Sequence, residues 1–471
     1  MNPARSIAVL LLIVLLQLSF YLLPDSKAWA FSFEIGENTI SAAADNVPLQ
    51  TILLELAAAD VTVKIDPQIN PPVTVDFKDR PIEEALEALL KPASYSLLWE
   101  SSGSNDASSL RLAEIRVFRS GQEELMQTLK PARKEIVTRN KAGVFFVRDE
   151  LLLYIAPGTD LSELRKLLLG YQATMEQNTG LPGLIKILFP EDSDVFAIAA
   201  EIKKKLNIGI IQPNYAYPIG PPVAYTAASI PEGISPAYYA PTGNSAPVAI
   251  LDSGLADNSE LDKFVLASLD AVHPDMAISD TLGHGTQMAL IVSGVAKPYG
   301  AVAGNESYVP IIPIRAFDDN GFTNDFKVMD AINFALANNA RGMSLSWGSE
   351  TRSDFLEKAF AYANAKGLII VASAGNEPTG RPVYPAAYPS TIGVGALDLH
   401  GRTWENSNYG NFVTLYAPGF ANLPVGYKGD PGLYAGTSIA AAYVAHTIAG
   451  YLSENPGATL QEISKYLNSK F

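Results

Sequence analysis

The chain has 471 residues, a net charge of −15 and no cysteine. That length exceeds one ordinary core and implies two or three domains, and with 48% apolar and 18% charged residues these are folded domains rather than a disordered chain. The acidic balance, without a basic stripe, excludes nucleic acid as partner, and the missing cysteine excludes disulfides, thiolate catalysis and cysteine-type zinc sites.

At the N-terminus Arg5 precedes an apolar run from Ile7 to Leu23, broken only by Gln17 and Ser19. Ala28-Trp29-Ala30 follows, with small residues where a signal peptidase needs them. The expectation is a signal peptide over 1–30, a mature chain from Phe31, and export to the periplasm or the extracellular space. The alternative is a retained membrane anchor, since a run of this length is close to the minimum for spanning.

Residues 31–120 read as a small α+β unit. Leu49, Ile52, Leu53 and Leu56 fall at helical spacing, as do Ile82, Leu86, Leu89 and Leu90. Val61–Ile65 and Val73–Phe77 alternate with period two, so two helices on one short sheet are expected. No residue of this unit has catalytic character. Its wording, NVPLQTILLELAAADVTVKIDPQINPPVTVDFKDRPIEEALEALL, resembles the short N-terminal module of secretins and TonB-dependent receptors. The resemblance implies a protein partner in the cell envelope.

Residues 121–143, with Lys130, Arg133, Lys134, Arg139 and Lys141, read as a solvated linker. Over 144–216 strands are expected at Val144–Val147, Leu151–Ile155, Leu184–Phe189 and Ile208–Gln212, with helices at Leu161–Leu169 and Val195–Lys205. Asp160 and Asp192 stand at the expected helix N-caps. This order fits a ferredoxin-like sandwich. The wording LLLYIAPGTDLSELRKLL and DSDVFAIAAEIKKKLNIGIIQPNYAY resembles the inhibitory propeptides that precede subtilisin-like domains, which implies an inhibitor of the chain's own active site. Residues 217–246 carry six prolines, at 218, 221, 222, 231, 236 and 241, and read as an exposed Pro-rich linker.

From 247 to 471 strand-like runs (Val248–Leu251, Val309–Ile314, Met343–Leu345, Leu368–Ala372) alternate with helix-like runs (Gln287–Val295, Val328–Leu336, Phe355–Ala365). The fold class is α/β, with a mostly parallel doubly wound sheet and a site at the carboxyl ends of its strands. Asp252 closes the first strand, His284 in Gly283-His-Gly-Thr286 precedes a helix, Asn376 follows the strand Leu368–Ala372, and Ser438 in Gly436-Thr-Ser438 opens the helix Ile439–Ala449. Singly, each has an ordinary use as turn, cap or surface residue.

Together, DSG, GHGT, SAGN and GTS, in that order, resemble the subtilisin-like serine peptidases (subtilase family) over 246–471. The order Asp, His, Ser is that of the subtilisin triad. The resemblance implies a secreted serine endopeptidase. Ser438 would be the nucleophile, His284 the base, Asp252 the orienting acid and Asn376 an oxyanion donor. It also implies that an edge strand at Met343–Ser346 binds extended peptide, so Ser344, Leu345 and Ser346 are the substrate-binding candidates.

Departures from the family pattern are Gln287, Ala442, and Ser346 and Trp347 where glycines are usual, the last pair implying a partly filled primary pocket. His273, His400 and His446 lack metal spacing, and no cofactor is required. Calcium stays open, with Asp318, Asp319, Asn320 and Asp325 as oxygen donors and little support in Lys297–Asn305. The alternative function is a catalytically weak or inactive scaffold protein of the envelope.

Overall fold

The computed structural model describes residues 32–471 apart from 37, 60, 92, 102–109, 120, 122, 130–134, 156–160, 178–182, 207, 221, 226–244, 258, 275, 303–307 and 428–430. The signal segment 1–30 with Phe31, Lys130, Arg133 and Lys134, the cap Asp160, most of the Pro-rich stretch and the end of the loop Lys297–Asn305 lie outside the described residues. No described helix is long and apolar enough to cross a membrane. The chain divides into two compact units, 1–133 and 134–471.

In the first unit the two helices are Leu49–Ala58 and Ile82–Leu90, each entered from a proline in extended conformation. Their residues at three- and four-residue spacing are the buried ones. The strands form two sheets, not one. Ser32–Ile35, Thr39–Pro48 and Pro72–Pro81 make an antiparallel three-stranded sheet, and Ser94–Ser101, Leu110–Phe118, Thr62–Ile65 and Gln127–Leu129 a four-stranded one. The two expected strands part company because Thr62–Ile65 pairs parallel with Leu110–Phe118, whose Ile115 and Val117 complete the core.

Residues 121–143 are correspondingly not a bare linker. Gln127–Leu129 pairs with Thr62–Ile65, and Val137–Arg139 with Phe145–Tyr154 of the second unit. Backbone groups shielded from water need partners, and edge pairing supplies them despite the basic composition.

The second unit begins with four antiparallel strands in the spatial order Thr174–Gln177, Leu184–Leu188, Phe145–Tyr154, Ile210–Pro218. This is the ferredoxin-like order, with helices Ser162–Gly170 and Val195–Lys205. The two strands expected at Val144–Val147 and Leu151–Ile155 are one. Leu151 and Leu153 face the core with the unit's own helices, while Leu152 joins the core that holds Asp325–Ala337 and Asp354–Ala365. A strand buried on both faces needs no polar alternation. The cap of Val195–Lys205 is Asp194, which accepts from Ala197 N–H at 3.0 Å. Asp192, the expected cap, lies two residues early at φ 64° and meets Arg148 Nη1 at 3.2 Å.

Seven parallel strands then form one sheet in the order Leu269–Asp270, Ile311–Arg315, Val248–Asp252, Gly342–Leu345, Ile369–Ser373, Thr391–Leu397, Leu415–Pro418. Val248 and Ile250 enter the core beneath helices His284–Ser293 and Thr437–Glu454. Ala249 and Leu251 enter the opposite core, beneath Asp325–Ala337 and Asp354–Ala365. Ala440, Ala441, Ala442, Ala445 and Ala449 make Thr437–Glu454 slim enough to be buried along most of its length.

Met343–Leu345 is therefore not an edge strand. It hydrogen-bonds to Val248–Asp252 on one side and Ile369–Ser373 on the other, because a central parallel strand uses both of its edges. A peptide can add only beyond Leu345, where the sheet pairing has ended.

Candidate active site

At the carboxyl edge of this sheet Asp252 meets His284, and Asn376 and Ser438 N border a second point, while no hydrogen bond joins Ser438 to His284 Nε2. Asp252 is the last residue of the strand Val248–Asp252, and its backbone oxygen accepts from Ala316 N–H at 2.9 Å. The Oδ1 of Asp252 lies 2.6 Å from His284 Nδ1 and also accepts from Ser253 N–H at 2.8 Å. A carboxylate only accepts, so the imidazole carries its proton on Nδ1. Both side chains are buried. Nε2 of His284 is buried too and has no hydrogen-bond partner. An imidazole nitrogen without a partner has the chemistry a general base needs.

His284 is the first residue of its helix, and Asp280, which the motif reading passed over, sets that start. Its Oδ1 accepts from Gly283 N–H and Ser253 Oγ–H, each at 2.8 Å, and its Oδ2 from Thr286 N–H at 2.8 Å and Thr286 Oγ–H at 2.7 Å. Asp280 thus ties the turn after Asp252 to the helix of His284. Its sequence signal is an acid four residues before the histidine. Glycine is required at 285, since a Cβ there would stand 2.2 Å from Gly254 O.

Ser438 is the second residue of Thr437–Glu454 and is buried. Asn376 is held by its amide oxygen, which accepts from Thr437 N–H at 2.9 Å and Thr437 Oγ–H at 2.8 Å. A Cβ on Gly436 would lie 3.6 Å from Asn376 Nδ2 and 3.7 Å from Ser438 N. The two nitrogens thus border one point, at the start of an 18-residue helix.

Ser344 and Leu345 are fully buried within the sheet, and Ser346 follows it, also buried. The hydroxyls of Ser344 and Ser346 have no hydrogen-bond partner. The strand-like partner of extended chain is instead Phe322–Asn324, which the sequence reading missed. It pairs antiparallel with Ala216–Pro218, continued by Ile219 N–H to Gly321 O at 2.8 Å and an antiparallel bridge from Ile219 to Trp347. Beyond this, Pro222 Cβ lies 3.8 Å from the same point beside Gly436, and Val223–Tyr225 pairs antiparallel with Gly432–Ala435. The end of the ferredoxin-like unit therefore passes across the site, anchored by backbone on both sides of it. The stretch 217–246 is not linker throughout, since its first residues are these strands.

Trp347 is buried and its ring lies 4.8 Å from that of Tyr217, so it packs under this segment. Gln287 donates to Val425 O at 2.8 Å. The acidic loop does not converge on a cation position: Asp318 Oδ1 accepts from Asn320 and Phe322 N–H, while Asp319 meets Arg315 and Thr281. No cluster of three His, Cys, Asp or Glu suited to a metal occurs among the described residues. His446 is a core residue with Nδ1 3.0 Å from Val292 O, and His400 is exposed.

A parallel sheet covered on both faces, with an Asp–His pair and a helix-start serine at its carboxyl edge, is the subtilisin-like α/β fold. The sequence model of the subtilase family matches residues 243–470, and the chain belongs to that family. It is 31% identical to subtilisin of Bacillus pumilus over 263 residues, 52% of this chain and 95% of that one. It is 34% identical to the thermophilic serine proteinase of Bacillus sp. (strain AK1) over 200 residues, 42% of this chain and 50% of that one. It thus spans half the length of that proteinase. The crystal structure of fervidolysin from Fervidobacterium pennivorans, a keratinolytic enzyme related to subtilisin, shares the fold with a TM-score of 0.57 at 24% identity, covering 69% of this chain and 57% of that one.

Proposed function

We propose that this chain is an exported serine endopeptidase made as a self-inhibited precursor. The observation that carries the reading is the buried Asp252–His284 contact of 2.6 Å with Nε2 unpartnered, at the edge where Ser438 opens its helix. Ser438 Oγ attacks the scissile carbonyl while Nε2 takes its proton. The same nitrogen returns that proton to the leaving amine, and Asp252 stabilises the imidazolium in between. The oxyanion forms at the point bordered by Asn376 Nδ2 and Ser438 N–H, where charge develops only as the carbonyl becomes tetrahedral.

Substrate binds as an added antiparallel strand along Phe322–Asn324 and past Ser346, as Ala216–Ile219 do here. Residues 144–225 thereby act as inhibitor, a reading supported by their pairing on both sides of the site. Residues 31–120 serve a protein partner in the envelope, and export rests on the N-terminal apolar run and Ala28-Trp29-Ala30.

The test is labelling by a fluorophosphonate, read by peptide mapping, beside mass analysis of the secreted chain and its Ser438→Ala variant. The expected result is modification at Ser438 alone and a variant that stays uncut. Asn376→Ala should lower kcat about 10²–10³-fold with a smaller change in KM. A folded chain that neither labels nor hydrolyses any peptide is the inactive scaffold instead.

A further inference from the structure

Among the residues that cross the site, one side chain reaches a buried carboxyl group. Tyr217 pairs by backbone with Thr323, a mode open to any extended peptide, and its ring is almost wholly enclosed. One face lies against Trp347, with ring centres 4.8 Å apart at 32°. At the far end the phenol donates to Asp325 Oδ1 at 2.5 Å. Asp325 has no exposed surface, and its other oxygen accepts from Gln212 Nε2 and Ser353 Oγ–H, each at 2.8 Å.

The floor of this pocket is tied to helix starts by hydrogen bonds. Asp325 is the first residue of its helix, and Ser353 caps another, accepting from Leu356 N–H at 3.1 Å. Tyr388 braces Ser353 by accepting from its N–H at 3.0 Å and donating to its carbonyl at 2.9 Å. An apolar wall with a single acceptor at its end fits a phenol. A phenylalanine ring would fill the same space and leave the carboxylate short of a donor. Sites that bind a substrate hydroxyl through buried polar groups reject the analogue lacking it far more strongly than apolar pockets reject an extra methylene, because the polar group is left unpaired.

We propose that Asp325 and Trp347 form a side-chain subsite that selects peptide substrates with tyrosine at the position Tyr217 holds, two residues before the one whose N–H bonds Gly321 O. This rests on the endopeptidase reading and specifies its substrate class. Asp325 touches the substrate hydroxyl and decides tyrosine against phenylalanine, and Trp347 supplies the aromatic wall. The chain's own Tyr217 occupies the subsite as a substrate would.

The experiment uses the full chain, its Tyr217→Phe variant and its Asp325→Ala variant. Each is assayed with two quenched fluorogenic peptides that copy residues 215–220, followed by Ala-Ser-Val so that no proline follows the glycine. The peptides differ only in tyrosine or phenylalanine at the position of Tyr217. The tyrosine peptide should have kcat/KM about 10²-fold higher with the unaltered site, read in Tyr217→Phe if the parent's own segment keeps it silent. In Asp325→Ala the ratio should fall to within about threefold. Both peptides see one preparation, so the ratio does not depend on how much of a variant folds. Turnover with a ratio near one in the unaltered site overturns the subsite and leaves the endopeptidase standing. A ratio that survives Asp325→Ala overturns the assignment to Asp325. No turnover by any of the three, with Ser438 unlabelled by a fluorophosphonate, overturns the endopeptidase reading and this inference with it.

Discussion

Raising the pH from about 4 to about 8 should loosen the strand Ile210–Pro218 through one carboxyl group. Asp325 is fully buried, and burial pushes it up from the ordinary aspartate value of 3.8 to about 7, against the hydrogen bonds of Tyr217, Ser353 and Gln212 that favour its charged form. The phenols around it, Tyr217, Tyr215 and Tyr388, are all raised by their own burial and by its charge, so none of them ionises in this range. The packed state holds the Asp325 proton more tightly than the open one. Its contribution is therefore complete below 3.8 and disappears as pH climbs through about 7. At roughly 1.4 kcal/mol per pH unit the whole change is on the order of 4 kcal/mol, or about 10³-fold in an opening equilibrium. Hydrogen exchange of peptides covering 210–218 reads that opening. It is compared at each pH between a Ser438→Ala chain and the same chain with Asp325→Asn, which cancels the pH dependence of chemical exchange. Protection in the Asp325 chain should fall relative to the Asn variant as pH rises, by about 10² or more. A flat ratio across the range, or one that moves in favour of Asp325, refutes the reasoning.

Three other outcomes follow from single contacts. Gly436→Ala should unfold with nearly the parent's stability, because its Cβ would meet only neighbours at 3.6–3.8 Å, yet lose most of kcat by filling the point between Asn376 Nδ2 and Ser438 N; thermal melts beside steady-state kinetics separate the two effects. Gly285→Ala should destabilise the second unit by about 3 kcal/mol or more, since its Cβ would stand 2.2 Å from the backbone oxygen of Gly254; urea unfolding followed at Trp404 measures it. Removing residues 31–129 should leave peptide hydrolysis intact, because that unit closes its own core and holds no candidate catalytic group; total loss of activity in soluble, folded protein would contradict this.

Much of the site was readable because its groups sit at places that sequence patterns mark. Asp252 ends an apolar strand, His284 and Ser438 open helices, and Asn376 follows a strand. All are consequences of a parallel sheet that presents its strand ends to one side. Asp280 is not legible in the sequence, because a short acid in a polar turn reads as ordinary turn chemistry until its five hydrogen bonds are seen together. Asp192 and Asp194 both precede the same helix, and only backbone geometry shows which carboxylate reaches Ala197 N–H.

What the sequence alone determined is local: the periodicities of the helices, the doubly apolar strands of the sheet, and the four residues in their order. Each follows from burial of a face or from a turn that a few adjacent residues encode. The tertiary structure decided what depends on distant pairing. It made Gly342–Leu345 internal, since strand order is fixed by helices that cross over and leave no mark in the strand itself. It laid Ala216–Pro218 against Phe322–Asn324 and Ile219 beside Trp347, beyond the end of Met343–Leu345, because backbone edges pair without regard to side-chain type. It also buried Asp325 under Tyr217, although acids in a loop are ordinarily solvated. A carboxyl group taken out of water is tolerated only when donors converge on it, and here those donors, Gln212 and Tyr217 on one strand and Ser353 at a helix start, come from two separate stretches of the chain.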